Sequence, residues 1–174
     1  SDEERIRRVI EDIERKLREL EKRHKEVTRE NKENAKELKE RHDRVTKDIK
    51  KTLDDVKDND EVRRKVEKVL DENRKMVEKV LELLERISRR NEELMKDVRR
   101  LVKEILERLK RLLDNNGDTD RVLEEIKKLL REVEERSDRA LREAKKLSKR
   151  VHERSKEVID RLRELLREIK READ

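Results

Sequence analysis

The chain has 174 residues, 59% charged and 30% hydrophobic, with no Pro, no Cys and no aromatic residue. A compact α/β or all-β domain of this length normally buries several Phe, Tyr or Trp, so the composition argues against those classes, and without Cys there is no disulfide or thiolate chemistry. The net charge of +6 comes from 54 basic and 48 acidic residues interleaved along the chain, which argues against a nucleic-acid binder with its gathered Lys and Arg; no run of about 18 apolar residues supplies a membrane span.

High charge with low hydrophobicity is also the signature of disorder. Here the apolar residues, mostly Leu, Ile and Val, recur at helical spacing, and that pattern belongs to long helices. The first segment, about residues 2–57, carries Ile6, Ile10, Ile13, Leu17, Leu20, Val27, Leu38, Val45, Ile49, Leu53 and Val56 on one face. Ser1 or Asp2 suits its N-cap, and Glu3 and Glu4 suit the positive end of the helix dipole. The pattern breaks at Asp58-Asn59-Asp60, where Asn or Asp can take a left-handed turn and Asp60 can cap the next helix.

The second predicted helix, about 60–114, ends at Asp114-Asn115-Asn116-Gly117, which holds the single Gly of the chain. Gly117 fits a C-terminal cap, and Asp118 or Thr119 an N-cap for the third helix, about 119–173. Loops this short force successive helices antiparallel. The expectation is an all-α, up-down-up bundle of three long, nearly straight helices forming one domain over 1–174, each helix about 80 Å long. Exposed i, i+4 pairs such as Glu11–Arg15, Asp12–Lys16 and Glu124–Lys128 are expected to brace the individual helices.

The apolar stripes are interrupted at regular intervals. His24 and His42 lie in the stripe of the first helix, Asn73 and Asn91 in the second, and Ser137 and Ser155 in the third, each pair 18 residues apart. Eighteen residues are five turns at 3.6 per turn, a period that implies little supercoiling. Antiparallel neighbours at one height share a constant sum of residue numbers, and His24/Asn91 and His42/Asn73 share one; parallel helices share a constant difference, as His24/Ser137 and His42/Ser155 do. Two polar layers are therefore predicted, His24/Asn91/Ser137 and His42/Asn73/Ser155, with Thr28 and Thr46 one turn beyond each His. Asn31 and Asn34, with Ser148, are candidates for a central network between them. His152 stands outside the repeat, since Glu134 precedes it by 18, and reads as a boundary residue.

Imidazole, carboxamide and hydroxyl groups together hold the donors and acceptors to satisfy one another in a core. Such layers fix register and helix order, and a buried neutral His also confers acid sensitivity. Burial disfavours the charged form, so stability is fully present above about pH 6.5 and is lost as pH falls below it.

With those layers, an aliphatic core, a Lys/Arg/Glu surface, short loops and the opening Ser1-Asp2-Glu3-Glu4, the chain resembles computationally designed helical bundles with buried histidine-containing hydrogen-bond networks of the pH-responsive type. The resemblance implies a scaffold or assembly subunit with no natural substrate. A spectrin-like adaptor repeat is the nearest natural alternative, and that family typically has aromatic core residues. No phosphate-binding loop, His-Glu-x-x-His or nucleophile motif is present, and the stripes hold no Glu for a carboxylate metal site. The expectation is a non-enzyme without cofactor, metal or small-molecule substrate. The acidic N-terminus does not read as a signal peptide, and the compartment is left open. Helix 2 carries 21 hydrophobic residues against 13 in helix 1, in doublets such as Leu83-Leu84 and Leu112-Leu113. These either pack against both neighbours or form an apolar strip for self-association, in which case assembly into an oligomer or filament would be pH-controlled.

Overall fold

The computed structural model describes residues 1–56, 59–115 and 117–173. The chain is all-α, with helices α1 (Asp2–Asp54), α2 (Asp60–Asp114) and α3 (Thr119–Ala173) and no strand among the described residues. α1 stops at Asp54, three residues short of the expected end, where Asp55 and Val56 donate backbone hydrogen bonds to the Thr52 and Leu53 carbonyls and tighten the last turn. The Thr52 hydroxyl also donates to the Asp48 carbonyl at 2.9 Å, the kind of local bond by which Thr competes with continued helix.

The helix starts are fixed by side-chain caps. Ser1 Oγ accepts from the Glu4 amide at 3.4 Å, Asn59 Oδ1 from Val62 at 3.3 Å, and Asp118 Oδ1 from Arg121 at 3.4 Å. The cap of α2 is therefore Asn59 and not Asp60, which is already helical. Neither Gly117 nor any other described residue takes a positive φ, so Asn59 and Asp60 do not make the left-handed turn. Gly117 donates its amide to the Asn115 carbonyl at 2.7 Å. Asp58 and Asn116 lie outside the described residues.

Packing divides the chain into two compact units, each drawing a stretch from all three helices. The first comprises Ser1–Arg29 and Ser88–Lys145. Its core joins Ile6, Ile13 and Leu20 of α1 to Val98, Val102, Ile105 and Leu109 of α2 and to Leu123, Ile126 and Val133 of α3. Burying each such side chain contributes about 1.5–3 kcal/mol, far more than propensity supplies. Ion pairs report helix direction. Arg5–Asp120, Lys16–Glu134 and Arg23–Asp138 advance together along α1 and α3, which run parallel. Glu21–Arg99 and Arg108–Glu125 join α2 to each neighbour, and the start of α1 shares this unit with the end of α2, so those two run antiparallel. Lys16, expected to pair with Asp12 on its own helix, bridges to α3 because it flanks that seam.

The second unit comprises Glu30–Ile87 and Lys146–Asp174. Leu38, Val45 and Ile49 of α1 pack with Val77, Val80 and Leu84 of α2 and with Val158, Ile159 and Leu162 of α3. No large hydrophobic side chain is exposed among the described residues of either unit. In the apolar doublets of α2, Leu84 is buried in its core, and Leu83, Leu112 and Leu113 are partly buried against the cores.

Candidate functional site

The helical period places both histidines inward. In the first unit the aliphatic cluster runs to Leu20, Val98 and Val133, and the next stripe positions are His24, Asn91 and Ser137, all buried, with Ser137 at 0% and His24 at 3% exposure. In the second unit His42, at 8%, and Asn73 are buried. Ser155 is only half-buried there, as are Thr46 and, in the first unit, Thr28. Five of the six stripe positions singled out by the repeat are therefore core residues, and the sixth lies at the edge.

The hydrogen bonding differs from the sequence expectation. No hydrogen bond joins His24, Asn91 and Ser137: both ring nitrogens of His24, Nδ2 of Asn91 and Oγ of Ser137 are buried without a partner among the described residues. In the second layer Nε2 of His42, Nδ2 of Asn73 and Oγ1 of Thr46 are likewise unpartnered. Ser155 donates to the carbonyl of Val151 on its own helix, at 2.7 Å. A helical Ser has that carbonyl within reach whatever lies across the bundle, and here it takes the hydroxyl out of the layer.

The central candidates divide too. Asn31 is buried with both side-chain polar atoms unpartnered, whereas Asn34 and Ser148 are half-buried, and no hydrogen bond links the three. His152 is exposed on the surface of α3 and is not a boundary residue.

Electrostatics follow from burial. Desolvation pushes the pKa of His24 below the ordinary histidine value, and the neighbouring Arg23 cation pushes it the same way. His42 is also lowered, again chiefly by desolvation, with Asp43 opposing. Asp43 Oδ1 lies 3.9 Å from His42 Nδ1, in ion-pair range but beyond hydrogen-bond length. Among the described residues no group of three or more His, Cys, Asp or Glu is placed to hold a metal ion, and no helix is long and apolar enough to cross a membrane.

Compared with protein-family models, curated proteins and solved structures, the chain matches none. Neutral imidazole in an aliphatic cross-section is tolerated at a cost of about 1–3 kcal/mol for each unpaired polar group; imidazolium there costs more.

One feature of the second unit lies outside the predicted layers. Asn34, His152, Ser155 and Lys156 border a groove between α1 and α3 in the second unit. Its signal lay in the repeat, where the matching positions of the first unit are Lys16, Glu134, Ser137 and Asp138.

Proposed function

We propose that this chain is a non-catalytic structural scaffold of designed character, whose two buried histidine layers set helix register and make its stability acid-sensitive. One observation carries the reading: two histidines one repeat apart are both buried in aliphatic cores, with their pKa values lowered chiefly by desolvation. Register follows because sliding a helix by one turn would set His, Asn or Ser against Leu or Val, leaving polar groups at two heights in place of one.

The sign of the pH effect is fixed by the direction of the shifts. A histidine whose folded pKa lies below its unfolded value of about 6.5 binds more protons when unfolded. Its contribution is fully present above that value, declines as pH falls, and is lost once pH passes the folded pKa. Two histidines in the cores deepen the loss.

The test is helical circular dichroism in moderate denaturant between about pH 7.5 and about pH 4.5, above most carboxylate titrations. The chain is compared with the double variant His24→Asn/His42→Asn. A loss of helix on acidification that the variant lacks supports the reading; equal acid response in both proteins refutes the histidine switch and leaves a plain scaffold. The self-assembling alternative needs an apolar face free for a second copy. The doublets of α2 pack against their own cores, which favours the single-chain scaffold.

A further inference from the structure

The five-turn repeat supplies an internal comparison between the α1–α3 seams of the two units. In the first, Lys16–Glu134 at 2.8 Å and Arg23–Asp138 at 3.1 Å bridge the seam, and Leu20, Val133 and Leu141 of the same two helices are buried. Eighteen residues further on, the apolar floor is retained as Leu38, Val151 and Ile159, but the bridging partners are replaced. Asn34 stands for Lys16, His152 for Glu134 and Lys156 for Asp138, while Arg41 repeats Arg23. Arg41 and Lys156 are both cations and cannot pair. Arg41 turns back along its own helix to Glu37 at 2.6 Å, and Lys156 has no ion-pair partner among the described residues. A groove of about 240 Å³ lies along this seam.

We propose that this groove is a binding site for a small anionic amphiphile, a single carboxylate or sulfonate on a short alkyl chain. Leu38, Val151 and Ile159 offer the alkyl chain an apolar floor. At the rim, Lys156 supplies the uncompensated positive charge, since Arg41 is paired with Glu37, and the Asn34 amide and a His152 ring N–H supply further donors for the headgroup. Glu37, the one carboxylate on the rim, is already engaged by Arg41. Volume sets the size of ligand, since drug-sized molecules occupy roughly 300–1,000 Å³ and a two-chain lipid exceeds what this groove holds. With few ligand atoms and a half-open rim, the dissociation constant is on the order of millimolar.

The experiment is a two-dimensional NMR titration of the isotope-labelled full chain with sodium octanoate below its micellar concentration, with neutral octanol in parallel. The expected result is shift changes concentrated at Asn34, Leu38, Arg41 and residues 151–159, with much smaller changes at the matching positions of the first unit. Lys156→Asp restores the pairing of Arg23–Asp138 and is expected to weaken octanoate binding about tenfold. Lys156→Gln, which only removes the charge, is expected to fall between. Circular dichroism of both variants verifies the fold. Equal shifts at both seams, equal affinity for octanol and octanoate, or affinity unchanged in Lys156→Asp would each overturn the proposal.

Discussion

His24 is held in the core without a hydrogen bond at either ring nitrogen. An isolated polar group in that position costs stability at neutral pH, because its water partners are given up and nothing replaces them. His24→Leu is accordingly expected to raise the denaturant midpoint at about pH 7.5, by the equivalent of roughly 1–3 kcal/mol. A lowered midpoint would mean that the imidazole holds a partner in solution. The two histidines should also titrate differently. Arg23 reinforces desolvation at His24, whereas Asp43 opposes it at His42. Asp43→Asn is therefore expected to lower the His42 pKa further and leave His24 unchanged, as read from the imidazole proton resonances. The burial of these residues was legible in the sequence, since period and antiparallel arithmetic depend only on backbone geometry. Their hydrogen bonding was not: it turns on a few tenths of an ångström between side chains, and Ser155 had a carbonyl four residues back competing for its hydroxyl.

The three helices illustrate what a stripe and a cap each decide. Apolar spacing determined where α1, α2 and α3 run, and the clusters of Asp, Asn and Gly determined where they stop, because those residues lose least by leaving the helix. The last turn was less legible. α1 closes early through Thr52 and two tight backbone bonds, local choices that an apolar period does not encode. Gly117, read as a C-terminal cap, does not take a positive φ. Gly117→Ala is thus expected to be tolerated and to stabilise by about 0.4–1 kcal/mol through the unfolded chain. The added Cβ would sit 3.2 Å from Leu112 Cδ1, the tip of a half-buried side chain that can rotate aside. Thermal midpoints of the two proteins check this, and a drop would show that Leu112 cannot give way. Asn59→Ala, which removes the cap of α2, is expected to cost at the lower end of about 0.5–2 kcal/mol, since its bond of 3.3 Å is long.

Across the chain, charge and apolar content are sorted almost completely: the aliphatic residues fill or flank two cores, and no large hydrophobic is exposed among the described residues. Sedimentation at concentrations tenfold apart is expected to return the single-chain mass of 21.4 kDa at neutral pH; a mass that grows with concentration would revive assembly through α2. All-α architecture was legible because composition and period agreed over the whole length. The contrast between the seams was not, because interleaved Lys, Arg and Glu look alike until one knows which of them flank a neighbour. At lower pH a second contribution appears. Asp71 is held below the ordinary carboxylate value by Arg74 and Lys75, so its contribution persists to lower pH than that of the histidines and fades only as pH falls through its lowered value. Acid should therefore act in two stages, imidazoles first and carboxylates after. The same sorting gives the first stage a chemical meaning: at neutral pH no large hydrophobic is exposed among the described residues, and a chain opened by protons would present its store of Leu, Ile and Val beside a rising positive charge. On the proposed histidine switch, acidification is therefore expected to strengthen binding to anionic vesicles in the native chain and not in the double variant His24→Asn/His42→Asn.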